Sequence, residues 1–179
     1  VTPGTITSEK VLDAKKNNYI ASLIQGKDSC GYSIIDTSTG EFYLGECQSN
    51  DLYETLSKYN PSEIILPKSI IYNIQDWFIK LQPYVTSIED LHFNYDSAYR
   101  NLVGHFKVNS LKGFGCEHLS NGIIAAGGLY LYLKNNLSKN VNHRKRISPV
   151  SDIGFMGLDG YTIRNLEIFD SISSHNING

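Results

Sequence analysis

The chain has 179 residues, 41% of them hydrophobic and 19% charged, with a formal net charge of −2 at pH 7. That is enough for one ordinary domain with its own core plus an attached segment, and too apolar for a disordered chain. The near-neutral balance excludes a general electrostatic pull toward nucleic acid or acidic lipid, and no run approaches the ~18 apolar residues of a membrane helix.

Val1–Lys16 reads as a polar leader bent at Pro3-Gly4, without the apolar centre of a signal peptide. Tyr19–Ile24 is then a first strand, and Gly26–Ser29 supplies turn residues before a second strand, Cys30–Asp36. The turn Asp36-Thr-Ser-Thr-Gly40 leads into a third strand, Glu41–Cys47, with Gly40 suited to positive φ. Connections this short predict an antiparallel meander.

After Cys47 the apolar period changes from two to near four. Asn50 or Ser49 is the expected cap of a helix whose Leu52, Leu56 and Tyr59 share a face. Asn60-Pro-Ser turns the chain into a short apolar strand, Glu63–Leu66, of the kind covered on both faces. Ile71, Ile74, Phe78 and Leu81 mark a second helix, and Tyr84–Ile88 a fifth strand. From Asp96 the chain turns helical, first over Tyr99–Phe106 and then from near Ser120. In the longer helix Leu119, Ile123, Ala126, Tyr130, Leu133 and Leu137 form a narrow stripe for one partner. Gly127-Gly128 weakens that helix by ~1 kcal/mol per glycine, so close contact with the sheet is expected there. Asn140–Val150 reads as a basic linker ending in Ser-Pro. Asp159 then caps a helix carrying Thr162, Ile163, Leu166 and Phe169, with Arg164 and Glu167 placed to pair.

The order β-β-β-α-β-α-β followed by helices predicts the α/β class. Its nearest analogy is a ribonuclease H-like mixed sheet with flanking helices, followed by a truncated helical segment. Chemistry of that fold needs acids clustered at strand ends to hold two Mg²⁺ ions. The first strand has none, and Asp36 and Glu41 fit turn and solvent roles. His105, Cys116 and His118 offer only three ligands at spacings unlike a zinc site, so a buried Cys and exposed histidines are expected. Gly113-x-Gly115 lacks a preceding strand and a third glycine, and no Gly-x₄-Gly-Lys-Ser/Thr occurs. His143, Arg144, Lys145 and Arg146 form the one basic cluster and the candidate phosphate contact. With no aromatic platform beside them, a solvated linker is the simpler reading. Cys30, Cys47 and Cys116 read as reduced intracellular thiols; whether Cys30 and Cys47 face each other stays open. The reading is therefore of no catalytic residue, no metal site and no cofactor. A divergent metal-dependent nuclease and a DNA-backbone binding module are the alternatives.

Several stretches resemble the MutS family of mismatch-repair ATPases. Val1-Thr-Pro-Gly-Thr is similar to the family's linker out of its mismatch-binding domain. Asn17-Asn-Tyr-Ile-Ala-Ser-Leu and Gly31–Phe42 resemble the opening strands of its connector domain. Leu102–Leu133 resembles that domain's end, with a Phe-Gly element and then Ala-Ala-Gly on the last helix. Met156-x-Leu-Asp-x-x-Thr-x-x-Asn-Leu-Glu resembles the start of the family's core domain. The resemblance implies a linker over residues 1–12, a connector domain over 13–139, a linker over 140–152 and the start of the core (lever) domain over 153–179. It implies a cytoplasmic DNA-repair protein whose connector joins mismatch-binding and ATPase parts, hinged at Val1–Ser8 and Asn140–Val150. ATP and Mg belong to the parent protein, as does mismatched DNA; a MutL-like protein and the parent's other domains are the implied partners. The family's Phe-x-Glu and Walker motifs are absent from these residues. Val1 is not an initiator methionine and little chain follows the Asp159 helix, so both ends are expected to be cuts. The last twenty or so residues should be frayed, extended or packed on a neighbouring copy.

Overall fold

The computed structural model describes residues 17–73, 81–139 and 160–163. β1 (Tyr19–Gln25), β2 (Cys30–Asp36) and β3 (Phe42–Cys47) make the expected antiparallel meander, in register from Tyr19↔Asp36 to Gln25↔Cys30 and from Cys30↔Cys47 to Ile35↔Phe42. The first turn is closed by the Gly26 N–H donating to Ser29 O at 2.9 Å. The second is closed by the Gly40 N–H on Asp36 O at 2.7 Å, with Gly40 at φ 79°, where glycine carries no Cβ penalty.

α1 (Leu52–Ser57) crosses to β4 (Glu63–Pro67), which lies parallel to β1, and β5 (Tyr84–Ile88) lies parallel to β4. The sheet order is β5-β4-β1-β2-β3-β6, a mixed sheet of the α/β class. α1 starts at Asp51 without a side-chain cap, so neither Asn50 nor Ser49 acts as expected. Ser49 Oγ instead accepts from Gln25 Nε2 and lies 3.3 Å from Cys30 Sγ. Where the second helix is expected after β4, the described residues form a 3₁₀ turn, Lys68–Asn73, which contains Ile71. Ile74 and Phe78 lie outside the described residues.

α2 (Tyr95–Phe106) starts before the expected Tyr99, because the Asn94 side chain accepts the Ser97 N–H at 3.1 Å and caps it. Lys107 at φ 53° ends it, its N–H returning to Val103 O. α3 (Ser120–Lys139) lies against β1, β2, β3 and α2. It packs with α2 on one face of the sheet over Ile20, Ile35, Phe42, Leu44 and Ile65. The opposite face gathers Ala21, Leu23, Tyr32, Ile34, Ile64 and Leu66 with Leu52 and Leu56 of α1.

Two expectations about α3 need correction. Its buried surface is not a narrow stripe: Ala125, Leu129 and Tyr132 are buried as well as Ile123, Ala126, Tyr130 and Leu133, because sheet and α2 cover it from two sides. Gly127 and Gly128 do not meet the sheet. A Cβ on Gly127 would lie 2.2 Å from Ala98 Cβ of α2, and one on Gly128 would lie 2.5 Å from the Phe93 ring. The close helix–sheet approach falls at Gly122, where a Cβ would meet Gly45 O at 3.0 Å.

The segment expected to open a helix does not. Gly160–Ile163 is β6, antiparallel to β3 with Phe42↔Ile163, Tyr43↔Thr162, Leu44↔Tyr161 and Gly45↔Gly160. β3 presents an unpaired edge, and Tyr-Thr-Ile favours extended backbone, so a ladder wins over a helical turn. These four residues are extended, but they pair with β3 of the same chain instead of fraying or packing on a neighbouring copy. Asp159, Arg164, Leu166, Glu167 and Phe169 lie outside the described residues, as do Val1–Lys16 and the linker from Asn140.

Candidate functional site

The acids of the sheet are the natural place to look for chemistry, and each is engaged in holding the fold. Asp36, fully buried at the end of β2, accepts through Oδ1 from Ser38 N (2.9 Å), Ser38 Oγ (2.6 Å) and Asn18 N (3.3 Å). This is the side-chain-to-backbone turn expected of it. Its Oδ2 has no partner. Glu41 is half-buried instead of facing solvent, and accepts the Tyr43 hydroxyl at 2.8 Å. Burial, and then this hydrogen bond to a carboxylate, push the Tyr43 phenol well above the usual tyrosine range.

Glu46 and Glu63 are the two acids that sequence reasoning missed. Glu46 Oε1 accepts the Asn121 N–H at 2.6 Å and the Gly122 N–H at 3.3 Å, while Oε2 accepts the Ser29 hydroxyl at 2.7 Å. A strand carboxylate thus caps the first turn of α3, where free N–H groups and the helix dipole favour negative charge. Asn121 Nδ2 returns to Ser29 Oγ at 3.0 Å. Glu63 is fully buried and accepts from Tyr132 Oη at 2.6 Å and Thr86 Oγ1 at 2.7 Å. The one available signal was an acid at the head of an otherwise apolar strand, since a buried carboxylate must find donors.

The remaining candidates stay apart. His105 is half-buried, not exposed, its ring 5.1 Å from Tyr130 and 5.0 Å from Phe106; burial first, then Lys134 and Lys107, lower its pKa. Cys116 is buried and His118 exposed, as expected. Among the described residues no group of three or more His, Cys, Asp or Glu is arranged to hold a metal ion. Gly115, at φ 73°, closes the 3₁₀ turn Leu111–Phe114 and serves as a C-cap. His143, Arg144, Lys145 and Arg146 lie outside the described residues. Cys30 and Cys47 do sit opposite each other across β2 and β3, and burial pushes the Cys47 thiol up to about 11.

An open surface hollow of about 540 Å³ is lined by Tyr95, Asp96, Tyr99, Arg100 and Glu117. Tyr99 Oη donates to Glu117 Oε1 at 2.6 Å, a bond that raises the Tyr99 pKa. Arg100 Nε donates to Asp96 O at 3.2 Å. The Tyr99 hydroxyl also accepts the Leu111 N–H at 3.3 Å, so it is held between a carboxylate and a backbone donor. Among the described residues no helix is long and apolar enough to cross a membrane.

The family described as MutS domain II matches residues 18–145. A protein of Dehalococcoides mccartyi is 35% identical over the whole chain, one of Flavobacterium psychrophilum 38% over 96% of it, and one of Cytophaga hutchinsonii 37% over 96%. Each is named DNA mismatch repair protein MutS, and the chain spans about a fifth, 20%, of the length of each. On that match the chain belongs to the MutS family, where it corresponds to domain II.

Proposed function

We propose that this chain is the non-catalytic connector of a cytoplasmic mismatch-repair protein, a stiff body that joins a mismatch-binding part to an ATPase part. It moves as a unit between hinges at Val1–Ser8 and Asn140–Val150 and passes nucleotide-dependent movement from one part to the other. An exposed face docks a MutL-like protein, and ATP, Mg and mismatched DNA are bound by other parts of the parent. The observation that carries the reading is the use made of the acids. Asp36, Glu46 and Glu63 are spent on a turn, a helix cap and a buried tether, where metal-dependent cleavage would need acids turned together toward its ions.

The test is made in the intact protein. Residues 17–139 are replaced by a flexible Gly/Ser chain of matched reach, and three properties are measured: mismatch binding, ATP hydrolysis, and release of mismatched DNA on ATP addition. Binding and hydrolysis should each survive while ATP-triggered release slows at least about tenfold, because a random coil transmits no displacement. Undiminished release would overturn the reading.

A further inference from the structure

The β3 edge carries a device that the linking role does not by itself require. The Asp36 N–H reaches Glu41 O at 2.9 Å, which fixes the alternation along the β2–β3 ladder. Ile34↔Tyr43 and Tyr32↔Gly45 are then hydrogen-bonded pairs, so Phe42 and Leu44 turn their N–H and C=O groups outward. There they meet Ile163 and Tyr161 of β6. β6 has only four residues, Gly160–Ile163. Each residue it orders costs about what each ladder bond returns.

We infer that Gly160–Ile163 is a detachable strap: closed on β3, it pairs that strand's outward N–H and C=O groups and holds the chain at Gly160–Ile163 to the sheet, and open, it releases both. This rests on the connector reading and deepens it, since the strap decides whether the second hinge is locked. Its closure needs no ligand, only an edge strand and an extended chain, the strand-addition mode by which peptides join sheet edges. Opening returns β3 to an edge strand with outward N–H groups at Phe42 and Leu44.

Amide hydrogen exchange on the whole chain reads the strap directly, with the control in the same strand. The Phe42 and Leu44 amides depend on β6, whereas the Tyr43 and Gly45 amides depend on β2. Phe42 and Leu44 should be protected about 10- to 1,000-fold over an unstructured chain, yet exchange at least about 100-fold faster than Tyr43 and Gly45, as a local opening does. Tyr161→Pro removes the donor facing Leu44 and should abolish protection at Phe42 and Leu44 while leaving Tyr43 and Gly45 within about threefold. Equal protection at all four amides would make β6 an integral strand, and no protection at Phe42 and Leu44 in the parent chain would remove it altogether. Either result overturns the inference. Failure of the connector reading would appear instead in the Gly/Ser replacement, which these amides do not report.

Discussion

Removing the Glu46 carboxylate should loosen α3 at its first turn. Three donors converge on it: the backbone N–H groups of Asn121 (2.6 Å) and Gly122 (3.3 Å), and the Ser29 hydroxyl (2.7 Å). A hydrogen bond to a charged group is worth about 1.5–3 kcal/mol, and a lost helix cap costs about 0.5–2 kcal/mol. The favourable charge at a helix N-terminus adds about 0.3–1 kcal/mol. These figures overlap, since one carboxylate supplies all three effects. Glu46 is also only half-buried, so water screens part of its charge. Glu46→Ala should therefore cost about 2 kcal/mol, and Glu46→Gln, which keeps an acceptor but no charge, about 1 kcal/mol. Urea unfolding with an unchanged slope would report these values, and the alanine variant's midpoint temperature should fall by about 8 °C. The reasoning is refuted if Glu46→Ala stays within about 0.5 kcal/mol of the parent, the range of an ordinary surface change. It is refuted too if Gln costs as much as Ala, because the retained acceptor would then be idle.

Two glycines should respond in opposite directions to alanine. A Cβ on Gly31 would lie 2.1 Å from Asn121 O, a backbone atom, so Gly31→Ala should cost about 3 kcal/mol by equilibrium unfolding. Gly104, in α2, has nothing within 4 Å of an added Cβ, and Gly104→Ala should stabilise by about 0.5–1 kcal/mol. Cys30 and Cys47 should stay reduced under a mild thiol oxidant, with both thiols titrating after denaturation and no intrachain bond found by mass spectrometry. By the alternation above theirs is a hydrogen-bonded pair, with Cβ atoms about 5.5 Å apart where a disulfide needs about 3.5–4.5 Å. Stability should fall as pH rises from 9.0 toward about 11, because the Cys47 thiol of the unfolded chain ionises before the buried one; Cys47→Ser should flatten that part of the curve. Labelled single-stranded, double-stranded and hybrid nucleic acids should survive incubation with the chain and Mg²⁺ or Mn²⁺. Binding to them at physiological salt should be unmeasurable by anisotropy; cleavage would revive the nuclease alternative, and salt-sensitive affinity the basic-linker one.

The parts of the fold legible in the sequence are those encoded by neighbours. Strand period and turn chemistry gave Tyr19–Asp36 and Tyr84–Ile88 nearly to the residue, because Asp36 and Gly40 hold their turn through bonds within five positions. Glu46 capping α3 was illegible, since its partners lie 75 and 76 positions away and a Glu in a strand resembles any solvent-facing acid. The same distance hid Glu63, whose Tyr132 donor is 69 positions on. Gly127-Gly128 correctly signalled a close approach, but composition does not say to what, and α2 proved nearer than the sheet. The start of the helix expected from Asp159 failed for another reason. A glycine followed by one aromatic and two β-branched residues suits a helix start or a strand, and the open edge of β3 decided between them.

A connector that passes on movement must be stiffer inside than at its joints, and the placement of the polar groups bears on this. α3 is tied to the sheet at its start by Glu46 and along its length by the Tyr132–Glu63 bond, and Gly122, at the first of these ties, lets its backbone close on Gly45. A helix held only by apolar contact can slide by small amounts, as packed helices do in shear motions. Polar tethers at two separated points forbid such sliding, because any shift leaves a buried carboxylate without its donors. α2 adds a third restraint, with Ala98 seated where Gly127 has no side chain. β6 is laid along β3 and also touches the 3₁₀ turn Leu111–Phe114. Stiffness is therefore concentrated where α3 meets the sheet and α2, which is what the connector reading asks of its body.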